Sequence, residues 1–170
     1  FRLVRGLIKR FHRLDEDIDE EAVLWGGLLS AISLQQATVI LESIGAPHAR
    51  QTIVCNILQS LERIPRLLSS IGVDDHVALH ELLSECSLEA LIALMAYSLE
   101  KQNARKVLRY IGELRLIKPE ICGNDLIAIG IPPGPHMRQI FKKLLELKLQ
   151  GHCFTREKEL EIALQEYKSL

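Results

Sequence analysis

Three sets of side chains in this 170-residue chain have the types and spacings that chemistry could use. His76 and His80 stand at i and i+4, which puts two imidazoles on one helix face with Asp75 and Glu81 beside them in sequence. They lack the glutamate of an HExxH pair and a third ligand at a diagnostic spacing, so a plain helix face is expected and no metal site. Asp15, Asp17 and Asp19 alternate, as carboxylates sharing Mg²⁺ would. Two-metal chemistry needs such carboxylates on a rigid strand, and these follow a basic helix on a loop. Cys55, Cys86, Cys122 and Cys153 are widely separated with no CxxC pair, and Cys86 and Cys122 have no acid or histidine at a diagnostic spacing for nucleophilic catalysis. Reduced thiols are expected. No GxSxG or GxxxxGK[ST] sequence is present. The expectation is therefore no catalytic residue and no metal ligand in this chain.

The stretch 123–154 offers recognition of charge instead. Ile131 leads into Pro132, Pro133, Gly134 and Pro135. Proline fixes φ, removes a donor and pushes its predecessor out of the helical region, so a rigid turn is predicted, with Pro135 at the first helical position. Met137, Ile140, Phe141, Leu144 and Leu147 then make one apolar stripe, while Arg138, Lys142 and Lys143 fall on the other side. Gly151 is placed to stop the helix. Gly130, Ile131 and Gly134 invite comparison with a helix-hairpin-helix phosphate nest. Three prolines remove the backbone donors that such a nest uses, so phosphate contacts are expected from side chains.

The elements that would position this face are helical. No run alternates as a strand would, and β-branched residues fall inside helical periods. An all-α assembly of about nine helices with no sheet is predicted. Val4, Leu7, Ile8, Phe11 and Leu14 line one side of a first helix whose five Arg and Lys residues face six acids within 15–21. Helices follow at about 20–31 (with Gly26-Gly27 for close packing), 34–44 (capped by Ser33, stopped by Gly45) and from Pro47 to about Arg63. Pro65 is expected to break or kink the last of these. Asp74 is assigned as cap of a helix at 75–85, and Ser87 as cap of a nearly all-apolar, central helix at 88–99. Lys101–Asn103 is read as a turn before a helix at 104–116, with Arg105, Lys106 and Arg109 outward. Thr155 caps a final helix to about Tyr167.

Overall charge is −1 and names no partner, but residues 104–148 hold nine Arg or Lys against four acids. A basic segment beside a fixed turn suits a nucleic-acid backbone. Tyr110 and Phe154 are the only aromatic candidates for base stacking. The composition, 48% hydrophobic and 25% charged, is that of a soluble globular chain. No apolar run reaches the roughly 18 residues of a spanning helix. A chain that opens without Met inside an amphipathic pattern is expected to be cut from a longer, cytoplasmic protein.

Gly123-x-Asp125-Leu126, the turn Gly130-Ile131-Pro132-Pro133-Gly134-Pro135, the Leu-rich basic helix, Gly151 and Thr155-Arg156-Glu157 occur in one order. In this the chain resembles the C-terminal region of bacterial class II tRNA nucleotidyltransferases, the CCA-adding and A-adding enzymes, and their poly(A) polymerase relatives. The resemblance covers roughly 118–163, with weaker similarity back through Trp25 and the 87–98 helix. It implies a helical body over 1–117, with 1–14 consistent with the end of a neck helix, and a tail over 118–170. Asp125, Gly130, Pro132, Pro133, Gly134 and Pro135 are then structural turn residues. Arg138, Lys142, Lys143, Arg105, Lys106 and Arg109 are candidate contacts to the backbone of a tRNA acceptor arm and elbow. The catalytic head, with its Mg²⁺ and ATP or CTP, would lie outside this chain, which needs no cofactor of its own. Whether the parent adds CCA, a single A or poly(A) is a property of that head. The alternative reading is a helical module for protein interaction or self-association.

Overall fold

The computed structural model describes residues 2–11, 18–97, 100–152 and 154–169. Among these there is no strand. Ten α-helices follow one another: α1 (Arg2–Phe11), α2 (Glu20–Leu29), α3 (Leu34–Ser43), α4 (His48–Ser70), α5 (His76–Leu83), α6 (Leu88–Tyr97), α7 (Lys101–Gly112), α8 (Gly123–Ala128), α9 (Pro135–Leu149) and α10 (Arg156–Ser169). The all-α expectation holds. Asp15, Asp17 and Cys153 lie outside the described residues.

The chain packs as two compact units, Phe1–Tyr110 and Ile111–Leu170. In the first, α2, α3 and α6 pack on the long α4, and α1 rests on α2 and α6. Helix α6 is central, as its apolar sequence predicts: Leu88, Leu91, Ile92, Leu94 and Met95 are all buried. The glycine pair of α2 serves close packing. A Cβ at Gly26 would stand 2.5 Å from Ile57 Cγ2, and one at Gly27 would collide with the Tyr97 ring. Asp19 caps α2 by accepting from Ala22 N at 3.0 Å and from Arg50 Nε at 2.8 Å. Partial burial pushes its carboxyl up, but Arg50 and the Ala22 amide outweigh that and hold it below the ordinary value.

Ser33 and Gln36 form the reciprocal box that starts α3. Gly45, at φ 68°, follows its end. Other details differ from the sequence reading. Helix α4 is not broken at Pro65 but continues to Ser70. A mid-helix proline costs about 3 kcal/mol, yet Ile64 and Leu68 on either side of it are both buried, and their packing outweighs a local preference. Asp75, not Asp74, caps α5, accepting from Ala78 N at 3.1 Å. Lys101–Asn103 is the first turn of α7, not a loop, and a short 3₁₀ turn over Leu114–Leu116 follows that helix. Asn103 is drawn in because its Nδ2 donates to Glu100 Oε2 at 2.9 Å and to Pro65 O at 3.2 Å.

The second unit has its own core of Ile121, Leu126, Ile131, Ile140, Leu144 and Ala163, flanked by Met137, Phe141, Leu160 and Tyr167. Four of the five residues in the predicted α9 stripe (Met137, Ile140, Phe141, Leu144) therefore face inward. Here α10 packs on α8 and α9.

Candidate nucleic-acid interface

The turn before α9 is set by backbone chemistry. Helix α8 opens on a box in which Asp125 Oδ2 accepts from Cys122 N at 2.8 Å. It closes on Gly130, whose φ of 90° is a left-handed value that side chains resist. Gly130 N donates to Ile127 O and Ile131 N to Leu126 O, both at 3.0 Å. These bonds and the burial of Leu126 against Ile131 make a Schellman stop. Pro132 and Pro133 stand exposed, and Pro135 begins α9 where a missing amide costs nothing. Gly134 has φ 172°, an extended value open to any residue. A Cβ there would lie 2.6 Å from His136 Cε1, so a larger residue would have to move that ring. The His136 ring folds back over the turn, with Nε2 2.6 Å from Pro132 O. At the far end, Gly151 at φ 92° closes α9 through the same pair of bonds, Gly151 N to Lys148 O and His152 N to Leu147 O.

Polar ties from α10 hold this unit together. Thr155 caps α10 by accepting from Lys158 N at 3.4 Å. Arg156 Nη2 lies 2.5 Å from Asp125 Oδ1. The Cys122 amide first, and then this guanidinium, hold the Asp125 carboxyl below its usual range. Two of the sequence landmarks, the aspartate of GxDL and the arginine of TRE, are thus one ion pair. Glu159 is fully buried. Its Oε2 accepts from Glu120 N at 2.8 Å and Ile121 N at 3.1 Å, and Lys148 Nζ stands 2.5 Å from its Oε1. Glu159 and Lys148 were not singled out from sequence. The signal was available: Glu159 shares the apolar stripe of Ala163 at i, i+4, where an acid must be paired.

The six candidate cations divide between the units. In the second, Arg138, Lys142 and Lys143 are all exposed on α9, with Lys142 Nζ 3.9 Å from Glu146 Oε1. Arg138 and Lys142 are one turn apart, about 6 Å along the axis. In the first unit Arg105 is exposed, and Arg109 is half-buried with Nη1 3.4 Å from Val73 O and 3.5 Å from Asp74 Oδ1. Lys106 does not point outward. It is 4% exposed and donates to Leu68 O at 2.6 Å and Ile71 O at 2.7 Å. Its ammonium satisfies the orphan carbonyls at the end of α4, which takes it out of any solvent-facing surface.

The aromatic candidates change too. Tyr110 is buried with the His80 ring edge-on at 5.7 Å. That face of α5 is half-buried rather than solvated, and burial lowers the His80 pKa. Phe154 is half-buried, with the exposed His152 stacked on it at 5.8 Å. Among the described residues no three His, Cys, Asp or Glu side chains come together as metal ligands. No described helix is long and apolar enough to cross a membrane.

Comparison with known proteins adds one finding. No family model matches the chain, and no solved structure matches it. The chain is similar to a protein described as A-adding tRNA nucleotidyltransferase from Geobacter sulfurreducens, with 38% identity over 77 residues. That match covers 45% of this chain and 9% of the relative's length.

Proposed function

We propose that this chain is a non-catalytic, RNA-holding segment of a tRNA nucleotidyltransferase or poly(A) polymerase. Its role is to grip tRNA by the backbone of the acceptor arm and elbow, while a catalytic head elsewhere in the longer protein extends the 3′ end with Mg²⁺ and ATP or CTP. The observation that carries the reading is α9: three cations exposed on one rigid helix beside a turn of fixed shape, in a chain similar to an A-adding enzyme. RNA duplex is held mostly through shape, phosphate and 2′-OH contacts, which a preformed helical surface with Arg and Lys can supply. The candidate contacts are Arg138, Lys142 and Lys143, with Arg105 and the more restrained Arg109 as a second set.

The test is tRNA binding by the chain at 50 and 200 mM salt, with duplex DNA as competitor. Salt-sensitive binding that prefers tRNA is expected, and Arg138→Ala with Lys142→Ala should lower the affinity and flatten the salt dependence. A folded double variant that binds as well as the parent chain sinks the assignment of this face.

A second reading, a helical interaction module, is favoured by one observation. Val39 is 64% exposed and shares a shallow apolar groove with Ile32 and Ile40, while Leu28 and Ile44 are 68% and 51% exposed. A chain that sediments as a stable dimer and ignores tRNA would favour this reading.

A further inference from the structure

We propose that the ring surface at the start of α9, formed by His136 and Tyr167 beside Pro132, is a stacking site for an unpaired nucleobase, with Lys143 placed for that strand's phosphate. The inference rests on the RNA-holding reading and gives it a second kind of contact. Three observations carry it. The first is that the His136 ring is tied back over the turn, with Nε2 2.6 Å from Pro132 O. That bond fixes the ring's orientation before a ligand settles on it, which lowers the ordering cost of binding.

The second observation is a neighbouring ring. Tyr167 of α10 meets His136 with centroids 5.0 Å apart and planes tilted by 49°. Both rings are half-buried, so each is seated in the unit yet reaches solvent, and Pro132 beside them is exposed. The third is the helical register. His136, Gln139 and Lys143 fall at i, i+3 and i+7, on one face of α9. Gln139 and Lys143 are exposed, and Lys143 lies about 10 Å along the axis from His136. Arg138 is on the opposite side of the helix from His136, so the stacking stripe and the Arg138–Lys142 stripe are distinct. A tilted pair of rings offering a π-face, an amide and a cation in one line match base, sugar edge and phosphate of a single strand. Every base has a π-face, so the site would tolerate any sequence.

The experiment uses the whole chain and two probes, a single-stranded RNA 12-mer and a blunt RNA hairpin with every base paired or in a tight loop. Tyr167→Leu should weaken the single strand about 5- to 150-fold, the range for loss of one stacked base. The hairpin should change far less. The salt slope should stay the same, because no charge has been removed. Tyr167→Phe and His136→Phe keep a ring and should retain most single-strand affinity, although His136→Phe loses the bond to Pro132 O. Equal losses for both RNAs, a changed slope, or loss in the Phe variants as large as in Tyr167→Leu overturns the stacking site and leaves the backbone reading standing. No binding of any RNA at 50 mM salt overturns both.

Discussion

Glu159→Ala is the substitution that should harm the second unit most. The carboxylate has no exposed surface, while Lys148 retains 12% side-chain exposure. Removing Glu159 takes from Lys148 its nearest anion, leaving Glu120 Oε1 at 3.9 Å, and leaves the amides of Glu120 and Ile121 without their acceptor. Breaking a buried pair from one side costs about 3–5 kcal/mol, and a partly exposed lysine that can still reach Lys118 O (3.2 Å) argues for the lower end, about 3 kcal/mol. The Ile121 amide, whose bond is buried, adds about 1 kcal/mol, whereas the amide of the exposed Glu120 can turn to water. A total near 4 kcal/mol is a large fraction of a small unit's stability. Glu159→Gln keeps an acceptor oxygen for the amides and should lose about half as much. The assay is urea unfolding followed by circular dichroism, with hydrogen exchange resolved to peptides covering 118–150. Protection should fall first at 120–121 and along α9. A Glu159→Ala loss below about 1 kcal/mol, or equal effects of Ala and Gln, would refute the view that this carboxylate ties α10 to the segment before α8.

Two further perturbations act elsewhere. Gly26→Ala forces a methyl to within 2.5 Å of Ile57 Cγ2, a fully buried side chain, and should destabilise the first unit by about 1–3 kcal/mol in thermal or urea unfolding. Unchanged stability would mean that α2 and α4 can separate without penalty. Asp125 has its folded carboxyl held low, so its contribution is fully present above its unfolded value near 3.8 and disappears as pH falls through the lower folded value. Asp125→Asn should therefore destabilise the chain at neutral pH and reduce the steepness of its acid unfolding below about pH 4. Identical acid transitions for the two proteins would contradict the role given to the Cys122 amide and Arg156.

Local signals in the sequence were sufficient for most helix ends. Ser33, Gly45, Gly151 and Thr155 do what their chemistry and position predict, because a cap depends on two or three neighbouring residues. Pro65 misled for the opposite reason: the cost of a proline is local, but the burial of Ile64 and Leu68 is tertiary. Lys106 misled in the same way. Its helical position placed it among polar neighbours, and only the proximity of the α4 C-terminus, 35 to 38 residues earlier, makes it an interior residue. The turn at 131–135 was legible because proline geometry is independent of context. That the His136 ring folds back over this turn to Pro132 O was not, since it depends on a side-chain rotamer.

The charge excess of 104–148 overstates what an RNA could use. Of its nine cations, Lys106 is sealed against α4 and Lys148 against Glu159. Arg109 leans on Val73 O and Asp74. Counting charges along the chain, three to five phosphate contacts and a log–log salt slope of about −3 to −4 would be expected. Counting the exposed cations of α9 alone gives three contacts, Arg138, Lys142 and Lys143. At about −0.9 per contact, that is a slope near −2.7, or somewhat shallower if part of the RNA contacted is single-stranded. The Arg138→Ala, Lys142→Ala variant should then retain a slope of about −1. A parent slope steeper than about −4 would mean that cations outside α9, Arg105 among them, reach the RNA too. A slope near zero would mean that the basic face of α9 is merely solvated, and that whatever affinity the chain has for tRNA comes from its apolar and aromatic surfaces.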